Sequence, residues 1–352
     1  MNRQTVGSTL LTCGMAFNYK TTAFSASGLA QEAMKKPSLN TSYAIAFVLC
    51  AAAMTALVFF VVYPNEFRLQ SMVTSRCGSR PSSSSSSLSS FVEPVTPEPD
   101  FRLLIGILSL PDSYERRHLV RDIYALQPDV ANARIDVRFV FCNLTKEEQR
   151  VLVAMEIMLY DDIIILDCAE NMDNGKTYTY FSSLPKMLDG GNGGGRPYDY
   201  VMKADDDTYF RLQLLAESLR TLPREDMYHG LITPCLNWRA RDHYMSGMGY
   251  ILSWDLVEWI ATAETPRKHQ AGPEDKVMGT WLREARRGKN EINMEPVMYD
   301  YLEREPRTCY RHELVPDTVG VHRLKNNWRW ATALTYFNAT VGLKPSNLYH
   351  MS

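Results

Sequence analysis

The sequence predicts an α/β fold in which a mostly parallel, Rossmann-like sheet carries helices on both faces, preceded by a single transmembrane helix. Two observations support this prediction. From residue 101 onward, strand-length apolar runs alternate with helical spacing, and an uncharged apolar span lies nearer the N-terminus. The chain has 352 residues, 45% of them hydrophobic, and can bury a sizeable core. Its formal net charge of −2 provides no basic surface for a polyanion, so we expect no nucleic-acid partner.

Residues 41–63, TSYAIAFVLCAAAMTALVFFVVY, contain no charged side chain and are long enough to cross the ~30 Å hydrocarbon core of a bilayer as a helix. A cleaved signal peptide is the alternative, although its apolar region would be shorter and nearer the N-terminus. Basic residues flank the span on both sides, so the charge count does not fix its orientation. Asn143 and Asn338 begin glycosylation triplets that are usable only in the lumen. We therefore expect a cytoplasmic tail over 1–40 and a lumenal body.

The segment after the span, residues 64–100, is predicted to be a stem. From residue 74 it is rich in Ser and Pro and poor in large apolar residues. Such a composition cannot bury enough surface to fold, and its prolines keep the chain extended. The folded body is then expected over 101–340, with a short tail over 341–352. A second biased stretch, GGNGGGRP at 190–197, predicts a surface loop.

The body begins with seven predicted elements that alternate between strand and helix. Ligands in sheets of this kind bind beyond the carboxyl ends of the strands, and the seventh element ends in three aspartates. The predicted elements are a strand at 101–110, a helix at 114–127, a strand at 135–141, a helix at 146–160, a strand at 162–167, a helix at 176–188 with a kink at Pro185, and a strand at 198–205.

Asp205, Asp206 and Asp207 are consecutive, and three like charges repel one another unless a cation lies between them. In an extended chain Asp205 and Asp207 share a face while Asp206 points away. A divalent ion held by one or two of these carboxylates and by a diphosphate is therefore one interpretation. The alternative is that Asp207 or Thr208 caps a helix beginning near Phe210.

Six groups of residues follow one another along the body: LLIGILS with ERRHLVRDIY; VRFVF; Glu156 with YDDIIILD and NGKT; YDYVMKADDDTYF; YMSGMGYILS; and GPEDKVMGTWL. In this order they resemble the β-1,3-galactosyltransferase family of Golgi sugar-nucleotide transferases, which share the GT-A fold and include the fringe enzymes. Three departures from the family pattern are typical of divergent, often plant-type branches: Tyr124 in place of Trp, Phe141-Cys142 in place of Leu-Gly, and Lys276 within the usual Glu-Asp-Val.

The resemblance implies a Mn²⁺ site and a nucleotide site. Asp207 would be the direct Mn²⁺ ligand, and Asp206 or Asp205 would contact the ribose. A histidine near the end of the domain would complete the metal site, and His322 in VGVHRL is the best match, with His312 as the alternative.

The resemblance also implies donor contacts from helical and loop residues. Arg116, Arg121 and Lys176 match family positions that approach the nucleotide, whereas Arg117 is expected to lie on a solvated helix face.

A general base is implied within Pro-Glu-Asp at 273–275. Asp275 would take the proton of the acceptor hydroxyl, with Glu274 beside it. The alternative is that both acids stabilise the start of a helix. Tyr244, Gly247 and Tyr250 are expected to contact the acceptor or the sugar, although an ordinary strand with packed aromatics fits the same pattern.

The reaction implied is inverting transfer of galactose or an N-acetylhexosamine from a UDP-sugar to a hydroxyl of a glycan or glycoprotein, with a β-1,3 linkage expected. A Golgi, single-pass type II membrane protein is implied as well. A non-catalytic glycan-binding protein of the same fold would be expected to have lost one of the acids, whereas a metal-dependent hydrolase would use the same acids with water. Among the cysteines, Cys142 and Cys168 both follow strands and are expected to pair, and Cys77 in the stem would allow a homodimer.

Overall fold

The computed structural model of the protein describes residues 98–188, 195–235, 242–304 and 306–348. The predicted cytoplasmic tail, the predicted transmembrane span and the stem up to residue 97 lie outside these ranges, as does most of the glycine-rich loop. Within the described ranges, no helix has both the length and the apolar character needed to cross a bilayer.

The described residues form eleven strands and eight helices, which alternate along the first half of the body. In chain order they are β1 (Phe101–Leu108), α1 (Tyr114–Ala125), β2 (Ala133–Cys142), α2 (Glu147–Tyr160), β3 (Ile163–Leu166), α3 (Lys176–Leu188), β4 (Tyr200–Asp205), β5 (Tyr209–Phe210), α4 (Leu212–Leu219), β6 (Met227–Thr233), β7 (Tyr244–Ser253), α5 (Trp254–Thr262), α6 (Glu264–Lys268), α7 (Glu274–Ala285), β8 (Asn290–Asn293), β9 (Met298–Tyr301), β10 (Arg311–His312), β11 (Gly320–His322) and α8 (Asn327–Tyr336).

The larger sheet has seven strands in the order β3-β2-β1-β4-β7-β6-β8. β7 is antiparallel to both of its neighbours, and all other adjacent strands are parallel. The predicted mostly parallel α/β sheet is therefore confirmed, and the four strands and three helices expected up to residue 205 are all present. Helix α3 continues past Pro185 to Leu188.

Helices cover both faces of this sheet. In β1, Leu103 and Ile105 pack into one core together with residues of α1, α4 and α8, whereas Leu104 and Leu108 pack into a second core with α3, α5 and α7. The two cores arise because successive side chains of a strand point to opposite faces. Buried on both sides, the sheet is a rigid platform for the loops at its carboxyl edge.

A smaller sheet of four strands, in the order β10-β9-β11-β5, was not predicted. Its strand β5 directly follows the three aspartates, and β11 pairs antiparallel with it, Gly320 opposite Phe210. A side chain at Gly320 would place its Cβ 2.6 Å from the ring of Phe210, so glycine is required for this pairing. The pairing brings the end of β11, which is His322, beside the aspartates.

Two disulfides lie in the described ranges. Cys142 and Cys168, at the ends of neighbouring strands, are joined with Sγ atoms 2.03 Å apart, which confirms the predicted pair. Cys235 is joined to Cys309, a pair that was not predicted because 74 residues separate the two in sequence. Cys77 lies outside the described residues.

Candidate functional site

The strand order creates a crevice at the carboxyl ends of β1 and β4. The chain places β2 and β3 on one side of β1 and then returns to form β4 on the other side, so the connections leaving these two strands diverge. Leu108 at the end of β1 pairs with Asp205 at the end of β4. A cavity of about 910 Å³ opens at this point. The predicted site residues that line it are Arg116, Lys176, Asp205, Asp206 and Asp207.

Asp205 and Asp207, which line this cavity, come together with His322, and one potential ligand atom from each of the three residues lies within 4.8 Å of the others. Nε2 of His322 lies 3.2 Å from Oδ1 of Asp207 and 3.6 Å from Oδ2 of Asp205. Nδ1 of His322 lies 2.8 Å from Oδ1 of Asp300. A carboxylate on the second ring nitrogen orients the imidazole of a metal-binding histidine. Two carboxylates and one oriented imidazole are a suitable set of ligands for a divalent cation.

The charges within this group also fit a cation. Burial opposes ionisation of Asp207, but a hydrogen bond from His322 and the positive charges of His322 and Lys325 hold the pKa of its carboxyl well below the usual range. Burial likewise opposes protonation of His322, yet the carboxylates of Asp207 and Asp300 raise the pKa of its imidazole to about 9. Oδ2 of Asp207 is buried without a hydrogen bond of proper geometry, although the Lys325 ammonium lies 2.7 Å away. Positive side chains therefore supply the charge that a metal ion would provide.

His312, the alternative ligand, is engaged elsewhere. Its Nδ1 and Nε2 lie 2.8 and 3.1 Å from the backbone oxygens of Glu313 and Pro296. Its ring packs on Tyr299, with the centroids 3.8 Å apart. Because both ring nitrogens already have partners, the alternative assignment of His312 as a metal ligand is wrong.

Asp206 turns away from Asp205 and Asp207, as expected, although β4 ends at Asp205 and the next two aspartates form a turn. Oδ2 of Asp206 accepts a hydrogen bond from Oγ of Ser109 at 2.8 Å, and burial raises the pKa of its carboxyl. Lys176 meets the same loop, since its Nζ donates to the backbone oxygen of Ser109 at 2.6 Å and pairs with Glu170. Burial lowers the pKa of Lys176. Both side chains therefore fix the loop after β1 at the cavity wall.

Arg116 lines the cavity from α1 and holds the turn after β11. Its two terminal nitrogens donate to the backbone oxygens of Leu324 at 2.7 Å and Lys325 at 3.0 Å, and its guanidinium lies 5.8 Å from the ring centre of Trp330. Leu324 in turn donates its backbone N–H to the backbone oxygen of Asp207 at 3.0 Å. The turn that follows His322 is thus fixed to both α1 and the aspartates.

Lys203 occupies the centre of a second cluster that sequence reasoning missed. Its side chain is buried, and Nζ lies 2.7 Å from Oδ1 of Asp205, 2.5 Å from Oε1 of Glu274 and 2.6 Å from the backbone oxygen of Gly247. Burial would lower the pKa of Lys203, but the two carboxylates raise it well above the usual range. One ammonium group thereby joins β4, β7 and α7.

Asp275 lies in the first turn of α7, beside this cluster. Its Oδ2 accepts from the backbone N–H of Gly247 at 3.1 Å and its Oδ1 from that of Lys276 at 2.8 Å. A Cβ at Gly247 would lie 2.7 Å from Oε1 of Glu274 and 3.4 Å from Oδ2 of Asp275, so glycine is needed for the two acids to approach the strand. Both residues are partly exposed, but the side chain of Glu274 is paired with the buried ammonium of Lys203.

The two predicted tyrosine contacts differ in their surroundings. Tyr250 is 0% exposed, and its ring packs against Phe181 and Tyr228 with centroid distances of 6.1 and 5.9 Å. The prediction that Tyr250 contacts a sugar is therefore wrong; its hydroxyl instead donates to Oε2 of Glu274 at 3.0 Å. Tyr244 is partly exposed on the same strand, and its contact with an acceptor stays a prediction.

Arg117 and Arg121 form a buried ion-pair network between α1 and α2. Arg117 is fully buried and pairs with Glu156 at 2.6 Å, so the expected solvated face is wrong. Arg121 pairs with Glu156 at 2.8 Å and with Asp162 at 2.6 Å, and it lies away from the lining of the cavity. The predicted donor contact for Arg121 is therefore wrong, because its role here is to hold α1 and α2 together.

The alternative that Asp207 or Thr208 caps a helix is also wrong. The residues that follow form strand β5, and α4 begins only at Leu212 without a side-chain cap. Oγ1 of Thr208 donates to the backbone oxygen of Met248 at 2.9 Å. The aspartates therefore have no role in starting a helix.

Both predicted glycosylation acceptors are exposed. Nδ2 of Asn143 donates to Oδ1 of Asp167 at 3.0 Å, and Asn338 follows α8 with a left-handed φ of 53°. Either side chain is accessible, and whether they are modified stays a prediction.

Three side chains of the site were not found from the sequence. Lys203 had a local signal, since it lies two residues before Asp205 in a strand and so on the same face. Lys325 lies three residues after His322, and in a turn this spacing does not indicate that the two side chains lie close together. Asp300 had no signal, because it meets His322 only through the pairing of β9 with β11.

A family model described as Galactosyltransferase matches residues 115–237, which include the three aspartates and all but the first residue of α1. Among similar proteins, β-1,3-galactosyltransferase pvg3 of Schizosaccharomyces pombe is 25% identical over 288 residues, covering 67% of this chain and 75% of that protein. β-1,3-Galactosyltransferase 6 of Mus musculus is 29% identical over 205 residues, covering 51% of this chain and 59% of that protein. The chain thus spans three quarters of the first relative and less than two thirds of the second.

Among solved structures, this chain is similar to the galactosyltransferase LgtC in complex with donor and acceptor sugar analogues. The match covers 70% of this chain and 97% of the LgtC chain. The sequence identity is 14% and the TM-score 0.39, a similarity too low to support a conclusion about function.

Proposed function

We propose that the protein is a Mn²⁺-dependent, inverting hexosyltransferase of the GT-A type, a proposal supported by the galactosyltransferase family model over residues 115–237 and by the similarity to β-1,3-galactosyltransferases. In this proposal it moves galactose or an N-acetylhexosamine from a UDP-sugar to a hydroxyl of a glycan or glycoprotein, forming a β-1,3 linkage. The main support for the proposal is the convergence of Asp205, Asp207 and His322, of which the two aspartates line the cavity beyond β1 and β4.

The cavity is proposed to receive the nucleotide diphosphate. Asp205, Asp207 and His322 would hold the metal ion, which when bound neutralises the charge of the leaving diphosphate without a proton. Arg116 and Lys176 line the same cavity and would bring positive charge to the phosphates. Asp206, which accepts a hydrogen bond from Oγ of Ser109, would also accept one from a ribose hydroxyl.

Asp275 is proposed as the general base. The acceptor oxygen attacks the anomeric carbon from the face opposite the diphosphate, its proton passes to a carboxylate oxygen of Asp275, and the bond from the anomeric carbon to the diphosphate oxygen breaks, so that UDP leaves with the electron pair. Asp275 is partly exposed, so an acceptor can reach it. Lys203 holds the neighbouring Glu274, which fixes the first turn of α7 and with it the position of the base.

The proposed location is the Golgi membrane, with the chain anchored once and the body in the lumen. It rests on the uncharged span at 41–63 and on the exposure of Asn143 and Asn338.

The test is to incubate the detergent-solubilised full-length protein with a panel of UDP-sugars, with and without Mn²⁺ and with and without acceptor glycans. We expect UDP release that requires both Mn²⁺ and an acceptor. Release of UDP without an acceptor would indicate a hydrolase, and binding without any release would indicate a non-catalytic protein; either result overturns the proposal.

A further inference from the structure

Lys325 forms an ion pair with Asp207 that is incompatible with the proposed binding of a metal ion at this site. Its ammonium lies 2.7 Å from Oδ2 of Asp207, whose carboxylate is proposed to bind a divalent ion. An ammonium and a metal ion on the same buried carboxylate would repel each other. Binding of the metal therefore requires Lys325 to leave.

The side chain of Lys325 is free to move, whereas its backbone is not. The side chain is 66% exposed and that of Asp207 only 7%. The backbone oxygen of Lys325 accepts from Arg116 at 3.0 Å, and the next residue, Asn326, caps α8 by accepting from the backbone N–H of Arg329 at 3.0 Å. The ion pair with Asp207 also lacks hydrogen-bond geometry. An exposed ammonium on a flexible stem leaves such a pair at little cost.

The nearest destination for the displaced ammonium is the cavity that Lys325 already lines. Arg116 and Lys176 line the same cavity, so three cationic side chains border it close to the aspartates. A bound diphosphate would offer anionic oxygens to the ammonium after it leaves Asp207.

We propose that Lys325 is the counter-ion of the metal-free site: it neutralises Asp207 in competition with the metal ion and moves to the diphosphate once that ion is bound. This inference rests on the proposed function for its second step, whereas its first step concerns the metal ion alone. Lys325 would therefore have opposite effects on the binding of the metal ion and of the nucleotide. Lys325 opposes binding of the metal by itself and favours binding of the nucleotide to the metal-loaded site, so metal and nucleotide each promote binding of the other.

The experiment is to measure binding of Mn²⁺ alone, and then of UDP at saturating Mn²⁺, to the full-length protein and to Lys325→Met by titration calorimetry. The neutral variant should bind Mn²⁺ alone roughly 10-fold more tightly and UDP roughly 10-fold more weakly than the parent protein. Lys325→Gln should behave in the same way. It is included to show that the changes come from the lost positive charge and not from the methionine side chain. Lys289→Met is the matched control, since it removes one exposed positive charge that pairs with Asp226 instead.

Unchanged or weaker binding of Mn²⁺ in both Lys325 variants would overturn the counter-ion role. Tighter binding of Mn²⁺ with unchanged binding of UDP would overturn the movement to the diphosphate. If the parent protein binds no UDP at all, the proposed function fails, and the Mn²⁺ titration still decides the first step.

Discussion

At the scale of single residues, the carboxylates of the site fall into two kinds: some are paired with a cationic side chain, and one is available to accept a proton. Asp207 is neutralised by His322 and Lys325, and Glu274 by Lys203. Among the described residues, Asp275 has backbone N–H partners and no cationic side chain paired with either carboxylate oxygen. This difference is why Asp275, and not Glu274, suits a base that must receive a proton.

Replacing Asp275 by Asn should separate catalysis from binding. The amide keeps the size of the side chain but cannot take the proton of the acceptor, so turnover should fall by roughly 10²-fold or more. The affinities for UDP and Mn²⁺ should remain nearly unchanged, because Asp275 lies outside the ligand group. Steady-state transfer rates and UDP titrations on the same preparation provide the measurement. A loss of UDP affinity as large as the loss of turnover would make Asp275 a binding residue instead.

The pKa of His322 predicts proton release when a metal binds. In the metal-free protein this pKa is about 9, so at pH 7.5 the ring carries a proton that it must lose to become a ligand. Binding of Mn²⁺ should therefore release close to one proton, and the affinity should rise as the pH is raised from 6.5 towards 8. Calorimetry in two buffers with different heats of ionisation measures this release. Heats that are the same in both buffers would argue against His322 as a ligand.

At the scale of elements, three segments depend on one buried ammonium. Lys203 in β4 contacts Gly247 in β7 and Glu274 in α7, and these contacts fix the helix start that carries the proposed base. Removing one partner of a buried ion pair leaves an uncompensated charge, which costs about 3–5 kcal/mol.

Lys203→Met should therefore destabilise the protein strongly. A cost of that size corresponds to a fall in the unfolding midpoint on the order of 10 °C for a body of this size. Thermal unfolding of the detergent-solubilised protein is the measurement, and Lys203→Met combined with Glu274→Gln should recover part of the loss. Lys146→Met, which breaks a half-exposed ion pair with Asp112, is the control and should leave the midpoint unchanged. An unchanged midpoint in Lys203→Met would show that this contact does not hold the elements together.

The elements also show what could be predicted from the sequence. The first four strands and three helices have strong local patterns, and all were found. The small second sheet was missed because β10 and β11 have only two and three residues, too few for a periodic signal, and their pairing is non-local. The same reason hid the contact between Asp300 and His322. Tyr250 and Arg121 were misassigned because sequence patterns do not distinguish a buried contact from one that faces a ligand.

At the scale of the whole molecule, the layout of tail, anchor, stem and body remains a prediction from composition. The uncharged span at 41–63 and the Ser/Pro-rich segment after it predict one membrane crossing, with everything from about residue 64 in the lumen. A lumenal body is also where the proposed UDP-sugar donor would be supplied.

Glycosylation and protease protection test this topology. Asn143 and Asn338 are exposed and should be accessible to glycosylation in the lumen, whereas Asn40, whose triplet also fits, lies before the span and should stay unmodified. In sealed microsomes we expect a glycosidase-sensitive mobility shift that disappears in the Asn143→Gln, Asn338→Gln double variant, and a body protected from added protease. Digestion of the body in intact vesicles would reverse the predicted orientation.

Asp207 is proposed to bind the metal ion through which the protein holds its nucleotide, and UDP binding with and without Mn²⁺ tests this role. UDP is titrated into the parent protein and into Asp207→Asn, each with and without Mn²⁺, after circular dichroism has shown that the variant is folded. We predict that Mn²⁺ tightens UDP binding by at least about 10-fold in the parent protein, that this effect is lost in Asp207→Asn, and that the variant has no transfer activity. The same dependence on Mn²⁺ in the variant, or undiminished transfer, would contradict the account.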